Sequence, residues 1–317
     1  MWPFQRTPSI DPAQGDPRAR TLITALTGQD RDTIRQIFTE TTDHDERAFL
    51  MATADDVPGV QDWITGWITD EPESTLPLLI RGCHAVAWAW DARGGRLARY
   101  TSSDKFAEFH RRLKIAENCL DEVTDRDPDE VLAWAWLTTS ARGRQVPTDT
   151  ATERFRQVTK RAPHHLLAHE QRLQHLCRKW AGSHAEMFAF AREATAGAPP
   201  GHLLPNVLAI AHLEYWLSLP GGEDAAYMTT PLVRADLRTA AEQSILHPAF
   251  TRTPGWASRA NTFAMALHMA GEYQYAAHVF DLIGDHVTEW PWFYRTLFGS
   301  PARTFAKARR DVHRSRR

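Results

Sequence analysis

Apolar positions recur at helical spacing from about residue 17 to residue 300, without the alternating pattern of period two that strands show. Residues three and four apart share one face of a helix, so this pattern predicts amphipathic helices. Short clusters of Gly, Pro and Asp interrupt it, and proline both ends one helix and can open the next. Such stops occur at 70–72, 126–128, 161–163 and 197–199. The chain is therefore predicted to be all-α.

A repeat of a small residue, a large residue and a proline runs through the helical region. Ala116, Leu120 and Pro128 are spaced 4 and then 8 residues apart. The small residue lets the second helix of a pair approach the first, and the large residue fills the groove between them. One helix pair cannot bury its apolar face alone, so neighbouring pairs must stack. The further copies are Ala151, Phe155 and Pro163; Met187, Ala191 and Pro199, with small and large exchanged; and, more weakly, Val60, Ile64 and Pro72.

This repeat resembles the tetratricopeptide repeat family over about residues 55–290. The match is degenerate, because the tryptophan, leucine and glycine that open the family's first helix are not cleanly present in any copy. The spacing of 56 between Pro72 and Pro128 exceeds one repeat by about 22 residues, which we assign to a loop with lengthened helices around 91–103. Segments 179–183 and 289–292 are similar to an uncharacterised tetratricopeptide-like family of actinobacteria. The resemblance implies a helical-repeat solenoid of antiparallel helix pairs and no particular activity.

Three regions follow from the pattern. Residues 1–16 are predicted to be a flexible leader, residues 17–300 a helical-repeat domain, and residues 301–317 a basic C-terminal tail. The tail carries seven Arg and Lys residues against one acidic residue, Asp311. We expect it to have few apolar anchors, so that its deletion would barely change the melting temperature. It is either a solvated helix end or a contact for an anionic partner or membrane surface.

Charge and composition narrow the class of function. The 37 Lys and Arg residues nearly balance the 39 Asp and Glu residues, which argues against a nucleic-acid binder. No apolar run approaches the ~20 residues that span a bilayer, and no signal-peptide core is visible. Cys83, Cys119 and Cys177 are too widely spaced for a disulfide framework or a zinc site. We therefore expect a cytoplasmic protein without membrane insertion, bound nucleic acid, metal or other cofactor.

Candidate chemistry is sparse. The sequence has no standard motif for nucleotide binding, zinc proteolysis or serine hydrolysis. Histidines cluster between residues 164 and 212, and His165 and His169, four residues apart, could direct both imidazoles to one site. The sequence shows no third ligand, so surface or capping roles are the alternative. The acid pair Glu117 and Glu122 is interpreted as solvated or capping charge.

The partner-facing surface is predicted from the phase of the repeat. In tetratricopeptide folds the first helix of each pair lines a concave groove, and the residues expected there are mostly polar. Buried polar atoms need partners, so a wet binding groove would explain them, and simple solvation is the alternative. Arg142 and Arg178 are expected on one side of the groove, where they would attract a carboxylate. The predicted groove residues are Trp136, Thr139, Arg142, Glu170, Gln171, Gln174, Arg178 and Asn206.

Two functions remain open from the sequence. The first is a scaffold or adaptor that holds a protein or peptide segment, such as an acidic one, in the groove. The second is a small-molecule-binding protein or an enzyme with a pocket near His165 and His169. The 12 tryptophans suit either interpretation, as packing anchors between helices or as an aromatic binding surface.

Overall fold

A computed structural model describes residues 7–94, 101–296 and 299–315, and within these ranges the chain is helical and contains no β-strand. The expected all-α class is thus confirmed. In this part of the chain there are sixteen α-helices, α1 to α16, and a short 3₁₀ helix at Trp292–Arg295. Over the same residues, no helix has both the length and the apolar character that crossing a bilayer requires.

The helices form two compact units. The first unit comprises residues 16–175 and 179–181, and the second comprises the described residues of 1–15, 176–178 and 182–317. The first contains α1 (Pro17–Gly28), α2 (Arg31–Glu40), α3 (His44–Ala52), α4 (Val60–Asp70), α5 (Leu76–Arg93), α6 (Ser103–Arg126), α7 (Val131–Arg144), α8 (Thr148–Thr159) and α9 (Leu166–His175). The second contains α10 (His184–Ala196), α11 (Asn206–Ser218), α12 (Glu223–Met228), α13 (Pro231–Gln243), α14 (Trp256–Met269), α15 (Tyr273–Ile283) and α16 (Pro301–Ser315).

Each predicted proline stop follows the end of a helix. The helices α4, α6, α8 and α10 all end two to four residues before the proline of their repeat copy. The small residues of the copies are buried, and so are most of the large ones, because they lie on the inward faces of these helices. Phe155 is the exception, since its ring is only half-buried and lies edge-on to His169 at 5.0 Å.

The helices α5 and α6 approach each other closely at Gly82. A Cβ atom at position 82 would lie 2.7 Å from Leu120 Cγ and 3.2 Å from the carbonyl oxygen of Ala116. Both Ala116 and Leu120 are fully buried, so this copy packs as the repeat predicts. The two helices are 18 and 24 residues long, so two long helices occupy most of the chain between Pro72 and Pro128. Residues 95–100 of the expected loop lie outside the described residues.

The C-terminal segment differs from expectation. We expected a tail with few apolar anchors, but α16 buries Phe305, Val312 and three alanines against the second unit. The Phe305 ring lies 5.3 Å from Phe280 and 5.4 Å from Trp292. The prediction was wrong because it followed the many arginines. The apolar residues between them recur at helical spacing and line one face of α16. Residues 316–317 of the predicted tail lie outside the described residues.

The residues of the predicted leader that the structure describes, 7–15, also make contacts. Pro8 and Ala13 are buried, and the Asp11 carboxylate accepts hydrogen bonds from the backbone N–H groups of Ala13 and Gly15 at 3.1 and 3.0 Å. Such a carboxylate-closed turn holds the backbone in one conformation.

The three cysteines are free thiols in the interior. Burial raises the pKa of the Cys83 thiol well above its ordinary value, and burial also raises the pKa of Cys119. In the second unit, Cys177 Sγ lies 3.5 Å from Met187 Sδ. All three therefore serve as small, unreactive core residues.

Candidate functional site

A group of arginine, tryptophan and polar side chains gathers at the C-terminal ends of three helices of the first unit. The helix α5 contributes two residues three apart, which share one face, and α9 contributes two residues four apart. The backbone of α7 comes close because Gly143 has no side chain: a Cβ there would lie 2.8 Å from Phe109 Cζ and 3.3 Å from Trp90. We name this group the cation–aromatic cluster; it comprises Trp90, Arg93, Arg142, Gln171, His175 and Trp180.

Both guanidinium groups of the cluster lie over indole rings. The Cζ atom of Arg142 is 4.7 Å from the ring centre of Trp90, and that of Arg93 is 5.5 Å from Trp90 and 5.8 Å from Trp180. The two indoles meet edge to face at 5.7 Å. Arg142 also donates a hydrogen bond to the side-chain oxygen of Gln171. Cation–π contacts of this kind stabilise a cation by about 0.5–2 kcal/mol, so both positive charges are held in place.

Several buried polar atoms of the cluster have no hydrogen-bond partner within the described part of the chain. They are the indole Nε1 atoms of Trp90 and Trp180 and both ring nitrogens of His175. His175 is only 3% exposed. Leaving a buried donor or acceptor unsatisfied costs about 1–3 kcal/mol each, so a polar group that bonded these atoms would stabilise the cluster.

The electrostatics of the cluster favour a ligand that accepts hydrogen bonds. Burial lowers the pKa of His175, and the positive charges of Arg172 and Arg142 lower it further. The imidazole is therefore neutral at neutral pH, with one N–H donor and one acceptor nitrogen. Indole and guanidinium nitrogens only donate. The cluster thus offers mainly N–H donors and positive charge, which is the complement of a carboxylate.

The structure brings two of the predicted groove residues, Arg142 and Gln171, together in the cluster. Trp136 and Asn206 are 4% and 2% exposed, and this burial corrects their assignment to a partner-facing surface. The Thr139 hydroxyl donates to its own helix, at the carbonyl of Ala135.

The other three predicted groove residues are more accessible. Glu170 and Gln174 are half-buried on α9, and Arg178 is exposed in the second unit. The expected placement of Arg142 and Arg178 on one side of a groove stays a prediction.

Backbone groups engage both histidines of the predicted pair. His165 and His169 are buried rather than on the surface. His165 Nδ1 accepts a hydrogen bond from the Ala168 backbone N–H at 3.2 Å, and His169 Nδ1 lies 2.9 Å from the His165 carbonyl oxygen. Their Nδ1 atoms thus bond backbone groups at the start of α9, which agrees with the capping alternative. Among the described residues, no group of three or more His, Cys, Asp or Glu is placed to hold a metal ion.

Sequence reasoning did not select four members of the cluster. Trp90 is one of the 12 tryptophans, which suit packing between helices as well as an aromatic binding surface. Arg93 lies one helical turn beyond Trp90, and this spacing could have predicted that the two side chains share one face of a helix. Trp180 lies in segment 179–183, which the sequence distinguishes only by its resemblance to the actinobacterial family. His175 is one of several histidines between residues 164 and 212.

A second polar network lies in the second unit and joins α11, α12 and α13. His212 is 1% exposed, and its Nε2 lies 3.2 Å from Asp236 Oδ2 while its Nδ1 lies 2.6 Å from the Tyr227 hydroxyl. If Nε2–H donates to Asp236, Nδ1 must accept from Tyr227. This hydrogen bond from His212 lowers the pKa of Asp236, and burial raises the pKa of Tyr227. Tyr227 therefore stays a neutral phenol, which suits a structural link better than a nucleophile.

Removing the Tyr227 hydroxyl should test that link. We expect Tyr227→Phe to lower the free energy of unfolding by about 1–3 kcal/mol, because His212 Nδ1 then lacks a donor in the interior. Urea denaturation of both proteins measures the difference. The matched control is Tyr215→Phe, whose ring packs 4.6 Å from Tyr227 and which should change stability by less than about 0.5 kcal/mol. Equal losses in the two variants would show that the hydrogen bond contributes nothing.

The cation–aromatic cluster combines positive charge with buried, unsatisfied ring nitrogens, whereas the His212 network satisfies its own polar atoms. Neither family models, curated proteins nor solved structures give a match to the chain.

Proposed function

We propose that the chain is a scaffold or adaptor that binds a protein or peptide segment through a carboxylate held in the cation–aromatic cluster. The observation that carries this proposal is the set of unpartnered, buried ring nitrogens on Trp90, Trp180 and His175 beside two guanidinium groups. A carboxylate accepts several hydrogen bonds at once and neutralises positive charge. An aspartate, a glutamate or a chain terminus of the partner would supply it.

The wider setting of the proposal is a degenerate tetratricopeptide-like solenoid in the cytoplasm, related to the actinobacterial family that the sequence resembles. Support comes from the helix ends before each repeat proline and from the buried Ala116 and Leu120 pair. The reduced cysteines in the interior suit a reducing compartment. The alternative of a small-molecule or enzyme pocket near His165 and His169 is weaker, because their Nδ1 atoms bond backbone groups.

The test uses two synthetic peptide libraries that differ at one fixed position, glutamate in one and glutamine in the other. The protein should retain the glutamate library preferentially in affinity selection read by mass spectrometry. We expect Arg142→Gln to weaken that retention by about 10- to 100-fold, since a hydrogen bond to a charged group contributes about 1.5–3 kcal/mol. Equal retention of both libraries by the unmodified protein would contradict the proposal.

Two further variants separate binding from folding. Arg156→Gln removes an exposed arginine of the same unit, whose one ion pair within the described part of the chain is to Glu153 of α8, so peptide binding should not change. His175→Phe removes two unpartnered nitrogens, so stability should hold or rise while binding of the glutamate library weakens. A loss of stability in His175→Phe would instead assign the histidine a structural role.

A further inference from the structure

Four cations form a line along the exposed face of α16, and we name them the basic stripe: Arg303, Lys307, Arg310 and Arg314. Their spacing of 4, 3 and 4 places them within about 60° around the helix and along about 16 Å of its axis. All four are exposed, and within the described residues none of their side chains makes an ion pair or a hydrogen bond. The buried face of the same helix, with Phe305 and Val312, fixes the orientation of the stripe.

A cavity of about 320 Å³ opens beside the stripe, a volume typical of small-ligand sites. Lys307 of the stripe lines it together with Arg295, Thr304, His268 and Asp311. Arg295 Nη1 lies 3.3 Å from His268 Nδ1. Burial, and then the charge of Arg295, lowers the pKa of His268 to about 4, so the neutral ring accepts from Arg295. The side chains that line the cavity therefore carry two positive charges, on Arg295 and Lys307, and one carboxylate, that of Asp311.

An exposed aromatic ring lies two residues from Arg295. Phe293, in the 3₁₀ helix that also carries Arg295, is 43% exposed. Its ring packs 4.0 Å from Tyr294 and 6.1 Å from Trp290. Aromatic rings beside basic residues are typical of surfaces that rest at the interface of a lipid bilayer.

We propose that the basic stripe and its cavity form a peripheral docking surface for an anionic phospholipid bilayer, with a headgroup phosphate entering the cavity beside Arg295 and Lys307. A line of charge on one helix suits a flat anionic surface, to which each juxtaposed cation adds roughly fivefold in affinity. Nucleic-acid-binding domains usually carry a basic surplus, which this chain lacks. The near balance of charge over the whole chain also favours a local contact. The helix stays folded on its unit, so the contact needs no insertion.

Vesicle sedimentation with the full chain tests this surface. The protein should bind phosphatidylcholine vesicles that contain 30% phosphatidylserine, and should not bind pure phosphatidylcholine vesicles. Replacing Lys307, Arg310 and Arg314 together by glutamine should reduce the partition coefficient by about 100-fold. The substituted side chains are exposed, so circular dichroism and the melting temperature should not change.

The matched control removes the same charge from exposed lysines elsewhere: Lys105, Lys114 and Lys160, all changed to glutamine. This control should bind the anionic vesicles like the unmodified protein. Equal losses in the two triple variants would overturn the proposal, because net charge alone would then explain binding. If the unmodified protein does not bind anionic vesicles, the proposal is wrong. This holds equally if it retains a single-stranded oligonucleotide instead.

Discussion

Replacing Phe305 by alanine should lower the free energy of unfolding by about 3–5 kcal/mol, the usual cost of removing a buried aromatic ring. Phe305 is completely buried and its ring contacts both Phe280 and Trp292. The surrounding rings are large and rigid, so they cannot collapse into the space that the variant leaves. Chemical denaturation followed by circular dichroism measures the loss.

The neighbouring ring of Phe293 provides the control for that measurement. It is 43% exposed, so Phe293→Ala should cost less than about 1 kcal/mol. Truncation before residue 301 should reproduce or exceed the effect of Phe305→Ala, since it removes the whole buried face of α16. A melting temperature unchanged by that truncation would restore the interpretation of this segment as a loosely attached tail.

Glu117→Gln should cost a similar amount, about 3–5 kcal/mol, because it removes one partner of a buried ion-pair network. Glu117 is 8% exposed. It accepts hydrogen bonds from Arg154 at 2.7 Å, from Ser140 at 2.8 Å and from Arg144 at 2.9 Å. These partners lie on α7 and α8, so the carboxylate of α6 joins three helices. The variant leaves two guanidinium groups without their counter-charge.

The pH dependence of this effect has a definite sign. Burial alone would raise the pKa of Glu117, but the charge of Arg154 and the hydrogen bonds outweigh it, so the pKa lies below its ordinary 4.5. A carboxyl with a depressed folded pKa stabilises the fold above its unfolded pKa, and this contribution disappears as pH falls through the folded pKa. The stability gap between the protein and Glu117→Gln should therefore be constant near neutrality and narrow below about pH 4.5.

The control is Glu122→Gln on the same helix. Glu122 is exposed and, among the described residues, pairs only with Arg126 one turn away, so its loss should cost less than about 1 kcal/mol. A loss of less than about 1 kcal/mol in the free energy of unfolding for Glu117→Gln would mean that the network is solvated. The sequence alone placed Glu117 and Glu122 in one class of solvated charge, because their difference depends on Arg144 and Arg154, which lie 27 and 37 residues away.

Local patterns predicted much of the helical architecture. The proline stops marked the ends of four helices because proline acts on the backbone within one turn. The Ala116 and Leu120 spacing identified an inward face, and the excess length before Pro128 appeared as two long helices. The docking of α16 was missed although Phe305 and Val312, seven apart, carry the required signal; their arginine neighbours dominated the interpretation.

The candidate site was only partly predictable for a physical reason. Arg142 and Gln171 are 29 residues apart, and the repeat phase placed both near a surface without showing that they touch. Trp90 and Trp180 are separated by 90 positions, so no periodicity connects them. The Tyr227–His212–Asp236 network likewise joins three helices. Contacts between elements depend on packing angles, which a single sequence does not encode in a readable pattern.

The buried thiols make the two units separately observable. Cys83 and Cys119 belong to the first unit and Cys177 to the second. A thiol held in the interior reacts with an alkylating reagent only when its surroundings open, and the open form is rare. The rate at which each cysteine acquires the label, resolved by peptide mass spectrometry, therefore reports the opening free energy of its own unit. The three natural cysteines thus report the local stability of both units in one experiment, without any introduced probe.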